Sequence, residues 1–411
     1  MKILVFLTRF PYPLNKGDKL RAFNQIKELS LHNDVYLFCL TYKQPAESDV
    51  AKVRKYCKDI HVECLSKTGV FYSLLKSVFT RLPLQVALFT SFASKQNFLE
   101  YYNRVNPDLA YYQFVRSAEY AKVLTCSGEK KRCAMVLDFQ DCLSMNIFRR
   151  AMCSGLLMKF VLMQEVKKLR EYENAMFDIF DACTIITVQD RNCMVSDKRK
   201  SIKIIENGVD NGYFTYPLSD NKEFDVIFTG NMSYKPNIVA AQFLINEVMP
   251  LVWKKDKNVK VALAGSNPVK QVRVLAQDRV VVTGWVDDMR EYYAKSRIFI
   301  APMQIGTGLQ NKLLEAMAMG LPCITTPLAN SALNTEANKH ILVAESEYDL
   351  AEHILDLIND REYGRKIADA GHGFVAENYK WSVSVSKLER LFNAVVQRRR
   401  TAKNVRTEHE V

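Results

Sequence analysis

Short apolar runs alternate with longer, helix-like stretches along most of this 411-residue chain. In the first half the runs are "KILVFLT", "DVYLFCLT", "LAYYQF", "AMVLDF" and "CTIITV"; in the second they are "FDVIFTG", "VKVALAG", "RVVVTGW", "RIFIAP" and "PCITT". Unbroken apolar character suits strands covered on both faces rather than on one. Alternation of such runs with helical segments predicts parallel sheets joined by crossover helices, hence two Rossmann-like α/β domains in series.

Between the halves, "DRNCMVSDKRK" and "NGVDNGYFTYPLSDNKE" gather turn formers and charge around one short strand, "IKIIEN", which places the join in residues 190–223. Asn207-Gly208 is a turn signal. The expected organisation is an N-terminal domain over 1–200, a linker over 201–223, a second domain over 224–375, a helix over 376–398 that crosses back to the first domain, and a basic mobile tail over 399–411. Val383, Leu388, Leu391, Phe392 and Val395 carry the helical spacing of that last element.

Composition narrows the classes. The chain is 48% hydrophobic and 25% charged, as a packed globular protein is. Its length suits two domains of about 200 residues. Ten scattered cysteines show no C-x-x-C pair, and no histidine stands at metal-ligand spacing, so zinc and disulfide scaffolds lack support. A net charge of +12 favours anionic partners. Without a zinc-finger, RNP-type or basic-zipper pattern, nucleic acid is not expected among them. The opening apolar run stops at Thr8-Arg9, too short for a signal-peptide core or a membrane span. A cytoplasmic location is expected.

The segment "GTGLQNKLLEAMAMG", residues 306–320, follows the buried-type strand "RIFIAP". Gly306, Thr307 and Gly308 are read as a loop at the strand's carboxyl edge. Leu309, Leu313, Ala316 and Met317 then mark a helix. Ligands of open parallel sheets bind at that edge, and the unpaired amides of a helix N-terminus attract phosphate. Lys312 and Glu315, three apart, share a helix face and suit phosphate and hydroxyls together. The residues by themselves fit equally a Gly-rich turn with an exposed ion pair on the next helix.

"GTGLQNKLLEAMAMGLPCITT" closely resembles the donor-binding motif of the retaining family-4 glycosyltransferases, in a form associated with exopolysaccharide synthesis. "ENGVDNGYF", "FTGNMSYKPN", "VTGWVDDMREYYAKSRIFIAP" and "AENYKWS" accompany it in the family's order. The resemblance is strong over the second half and weaker over the first. It implies the GT-B fold, two Rossmann-like domains whose parallel sheets face each other across a cleft. It also implies transfer of a sugar, with retention, from a nucleotide-diphosphate sugar to a glycan or lipid-linked acceptor in polysaccharide synthesis. The nucleotide-sugar is then a co-substrate, with no cofactor and no catalytic metal.

By the same resemblance Glu315 holds the ribose hydroxyls, and the backbone around Gly306, Thr307, Gly308 and Leu309 meets phosphate or sugar. Thr307 stands where the usual motif has a second glutamate. Gly230 and Asn231 follow the first strand of the second domain, Asn231 standing where an arginine is common. Lys235 and Lys312 are the candidates for neutralising the leaving diphosphate.

In the first domain Gly17, Asp18 and Arg21 resemble the family's glycine loop at the cleft, with Arg21 as an anion contact. An ordinary connection, with Asp18 capping a helix, fits the same residues. Relatives often carry a His-Asp pair where this chain has Gln140 and Asp141. Asp138 and Asp141 are candidates to receive the acceptor hydroxyl's proton, Asp141 preferred. They read equally as strand-end aspartates. Two alternatives stay open for the whole chain: a nucleotide-sugar epimerase of the same fold, and a glycosyltransferase-like subunit without turnover.

Two stretches, 70–89 and 145–170, mix aromatic, aliphatic and basic residues. They fit peripheral contact with an anionic bilayer, at the inner face of the membrane. From the sequence alone they fit better as domain helices whose apolar faces are buried and whose lysines and arginines are solvated.

Overall fold

The computed structural model describes residues 1–126, 133–305 and 308–409. The chain divides into two compact units, Met1–Glu206 with Ser384–Val411, and Asn207–Val383. The stretch read as a linker over 201–223 is therefore split between them. Both sheets are wholly parallel, and the fold class is α/β throughout.

The first unit's strands are β1 (Lys2–Leu7), β2 (Asp34–Thr41), β3 (Asp59–Cys64), β4 (Leu109–Gln113), β5 (Ala134–Asp138), β6 (Ala182–Ile185) and β7 (Lys203–Ile204). They lie in the order β3-β2-β1-β4-β5-β6-β7. Strand periodicity sends Leu4 and Phe6 of β1 into one core and Ile3, Val5 and Leu7 into another, so the central strand needs apolar side chains on both faces. The second core is completed by Val385, Leu388, Phe392 and Val395 of the helix Trp381–His409, with the Phe392 ring 5.1 Å from Tyr111. Arg399 and Arg400, assigned by the sequence pattern to a mobile tail, lie within this helix and bond Asp181 and Asp108 at 3.1 Å each.

In the second unit β8 (Phe224–Thr229), β9 (Val261–Ala264), β10 (Val280–Val282), β11 (Ser296–Ala301), β12 (Cys323–Thr325) and β13 (Leu342–Val343) run in the order β10-β9-β8-β11-β12-β13. The connections leave β8 toward β9 and return on its other side as β11, so strand order reverses between β8 and β11. In such sheets a crevice opens at that point. Two glycines shape its edge. A Cβ on Gly265, whose φ is +144°, would stand 1.9 Å from the Gly230 carbonyl oxygen. Only glycine lets the ends of β8 and β9 come so close.

Candidate functional site

The helix Asn311–Ala318 follows β11, with Leu313, Leu314, Ala316 and Met317 sunk into the second unit's core. Its N-terminus follows the carboxyl end of β11, and its N-cap residue, Gln310, makes no side-chain cap bond. Gly308, at φ +91°, turns the chain into it, and a Cβ there would meet nothing within 4 Å. Gly306 and Thr307 lie outside the described residues. Leu309 packs against the core.

Lys312 and Glu315 do not form the exposed ion pair that the residue pattern also allowed. Both are half-buried, and Lys312 Nζ donates to Asn237 Oδ1 at 2.6 Å while lying 4.5 Å from the centre of the Phe228 ring. Burial pushes the Lys312 ammonium down to about 7, against the opposing charge of Glu315. Burial likewise pushes Glu315 up to about 7, although Tyr293 and Lys312 both favour its carboxylate. The Tyr293 hydroxyl lies 3.3 Å from Glu315 Oε2 and 2.9 Å from Thr229 Oγ1. Lys312 and Glu315 thus lie on one helix directly after β11, each in surroundings that disfavour its charge.

Asn237 is the residue that sequence reasoning missed. It is buried in the first turn of the helix Lys235–Phe243, and its Nδ2 donates to the Asn231 carbonyl at 3.0 Å while Oδ1 accepts from Lys312. It therefore ties the turn after β8 to the lysine. A Cβ on Gly230, at φ +154°, would collide with the Asn237 amide at 2.6 Å, so Gly230 makes room for this bridge. The available signal was "YKPN": Pro236 suits the opening of a helix, which puts the asparagine after it in the first turn, close to the strand end. Asn231 Oδ1 is engaged by Ser233, accepting from its amide at 3.0 Å and its hydroxyl at 2.8 Å. Lys235 is exposed.

The first unit corrects two assignments. Arg21 and Asp138 are both fully buried and paired, Nε to Oδ2 at 2.7 Å, so neither is an open contact for an anion or an acceptor proton. Tyr111 and Thr184 also donate to the Asp138 carboxylate, at 3.1 and 2.8 Å, which occupies both oxygens. Asp18 does not cap the helix Gly17–Leu29; Lys16 stands at the cap, and Asp18 bonds Arg9 at 2.8 Å. Gly17 is exposed with open space around it. Gln140, buried at φ +63°, donates to Gln113 at 3.1 Å and so joins an internal amide chain that continues to Gln25.

Asp141 differs from these. Its Oδ1 is buried without a hydrogen-bond partner, and burial together with the charge of Asp190 pushes the carboxyl up to about 6, with Arg116 opposing. Arg116, which no motif marked, lies over the Phe89 and Phe114 rings at 5.4 and 5.2 Å. Burial first, then the charge of Arg9, lowers its affinity for a proton. These groups stand beyond the ends of β4 and β5, near the point where strand order reverses between β1 and β4.

Known proteins resemble this chain in sequence pattern and in fold. Residues 223–360 match the family model for glycosyl transferases group 1. An uncharacterized 44.6 kDa protein in the cps region of Klebsiella pneumoniae is 23% identical over 400 residues, covering 92% of this chain and 96% of that one. Sucrose-phosphate synthase from Thermosynechococcus elongatus superposes with a TM-score of 0.67 at 13% identity, over 96% of this chain and 99% of its own. Anabaena HepE in complex with UDP and glucose gives 0.66 at 14%, over 95% and 99%. The chain thus has the GT-B fold, and its second unit carries the group 1 glycosyl transferase sequence pattern across residues 223–360.

Proposed function

We propose that this protein is a retaining glycosyltransferase that moves a sugar from a nucleotide-diphosphate sugar to a glycan or lipid-linked acceptor in polysaccharide synthesis. The observation that carries the reading is the half-buried Lys312 and Glu315 pair on the helix after β11, where strand order reverses, with Lys312 held by Asn237. Support comes from HepE, whose structures hold UDP and UDP-glucose, and from the relative in a cps region.

In this reading Glu315 accepts the ribose hydroxyls. The first-turn amides and Lys312 receive the diphosphate, whose charge restores the ammonium that burial disfavours. As the bond from the anomeric carbon to the diphosphate breaks, charge grows on the leaving oxygen, and Lys312 stabilises it. Asn237 positions the lysine. The acceptor hydroxyl attacks the face the diphosphate leaves, and Asp141 takes its proton. Lys235 adds positive charge at the rim of the donor site. The protein acts at the cytoplasmic side, where nucleotide-sugars are made.

A thermal-shift series with UDP, GDP, ADP and CMP tests the donor site, because a ligand that binds only the native state raises Tm. One nucleotide series raises it, and Glu315→Ala abolishes the shift. No response to any nucleotide sinks the donor reading. A nucleotide response without sugar transfer or donor hydrolysis favours instead a binding subunit without turnover.

A further inference from the structure

Arg116 is a cation without a counter-ion. It stands in the short turn Val115–Ser117 directly after β4, half-buried, with its guanidinium over the Phe89 and Phe114 rings. Its Nε is buried without a hydrogen-bond partner, and among the described residues no carboxylate forms an ion pair with it. Asp141 and Asp18 act on it only at longer range, and Asp18 is already bonded to Arg9 at 2.8 Å. Ring faces offset part of the cost of withdrawing a guanidinium from water. They leave its Nε–H unsatisfied, and an anion is the partner that stabilises such a group most.

Other cations gather at the same place. The carboxyl ends of β1 and β4, between which strand order reverses, border a hollow lined by Leu7, Thr8, Arg9, Lys19, Gln113 and Phe114. Open parallel sheets take ligands at such a point. The hollow has room for about one water-sized group, and Thr8 Oγ1 beside it makes no hydrogen bond among the described residues. Phe114 belongs both to this lining and to the stack on Arg116. It holds φ +65° and ψ 142°, a region normally left to glycine, and strain of this kind concentrates at ligand sites. The charge of Arg9 disfavours the protonated forms of both Arg116 and Lys19, and Lys16 acts on Lys19 in the same sense. Against Arg9, Lys16, Lys19 and Arg116 stand Asp18, Asp141 and Asp49, of which Asp18 alone forms an ion pair with one of them among the described residues.

We propose that the carboxyl edge of β1 and β4 is an anion subsite for the acceptor, taking the phosphate or carboxylate of an acidic saccharide on Arg116 and Arg9. One oxygen of that group enters the hollow, and the sugar stays at the rim. There Phe114 and the exposed Tyr42, whose ring lies 5.7 Å from Phe89, offer aromatic faces to it. Arg21, sealed against Asp138, leaves the role of anion contact in the first unit to these arginines. Arg116 and Asp141 are near enough for each to shift the other's proton affinity, so an acceptor anchored on Arg116 is brought to the carboxyl that takes its proton. The word acceptor rests on the glycosyltransferase reading, whereas the anion contact itself uses no residue of the second unit.

Ligand-observed NMR titrations of the full chain with glucose 1-phosphate, methyl glucuronide and, as the neutral control, methyl glucoside test it. At least one anionic sugar binds and the neutral one does not; the one that binds names the group as phosphate or carboxylate. Arg116→Gln weakens that binding at least about tenfold, the scale of a lost charge-assisted contact. Arg116→Lys, which keeps the charge without the planar fork, recovers part of it. Arg9→Gln, at an exposed side chain, weakens it less, and carries the comparison should Arg116→Gln lose Tm. Binding persists in Glu315→Ala, which separates this subsite from the donor site. A chain that ignores every nucleotide yet binds the acidic sugar loses the donor reading and keeps the subsite. A wild-type chain that binds neither anionic sugar overturns the proposal, as do folded Arg116→Gln and Arg9→Gln variants that bind as well as wild type. Equal binding of methyl glucoside, or displacement of the acidic sugar by a nucleotide, overturns it too.

Discussion

Glu315 and Lys312 are held in conditions that oppose their usual charges, and this fixes the sign of their pH effects. Glu315 is raised from 4.5 to about 7 in the folded chain, so its contribution is fully present below the lower value and is lost as pH rises through the upper one. Glu315→Gln therefore raises the Tm of the ligand-free protein at pH 8 and leaves it nearly unchanged at pH 4, read by thermal melts across that range, while it weakens nucleotide binding. Lys312 has the opposite sense. Lowered from 10.5 to about 7, it contributes fully above the upper value and loses that contribution as pH falls through the lower. Nucleotide binding that uses the ammonium declines above neutral pH, by at most about tenfold per pH unit. Titration calorimetry from pH 6 to 9 shows that slope, and Lys312→Met flattens it.

At the scale of elements, close approach and buried charge decide what substitution does. Gly265→Ala forces a Cβ into the Gly230 carbonyl at the ends of β9 and β8. It costs about 1–3 kcal/mol or more, seen as a lower Tm, and moves the turn that presents Asn231 and Asn237. Asp138→Ala leaves Arg21 charged and fully buried, a change worth about 3–5 kcal/mol of stability. Denaturant unfolding followed by hydrogen exchange places that loss within 1–206. Most strands were legible because their runs are apolar on both faces. β3 was not, because its pattern is half-exposed and reads "DIHVEC", and the two-residue β13 offers too little sequence to mark a strand.

For the whole molecule the C-terminal helix is the element with the longest reach in sequence. Phe392 is fully buried between residues of β1, β2 and β4, so Phe392→Ala destabilises the first unit by about 3–5 kcal/mol. Hydrogen exchange shows protection lost across 1–206 and retained across 207–383. Its helical spacing was readable in Val383, Leu388, Leu391, Phe392 and Val395. Its extension past residue 398 was not, since the ion pairs of Arg399 and Arg400 join residues more than two hundred positions apart.

By itself the sequence determined two parallel α/β units, the order of their strands along the chain, and the helix bearing Lys312 and Glu315, because apolar period and turn chemistry are local properties. Tertiary structure alone decided which polar residues are accessible. It sealed Arg21 against Asp138, joined Lys312 to Asn237 across 75 positions, left Asp141 with an unpartnered oxygen, and exposed Leu156 and Phe79. The physical reason is that burial and pairing depend on neighbours brought together by the sheet, and a residue's type records its capacity for a bond without recording its partner.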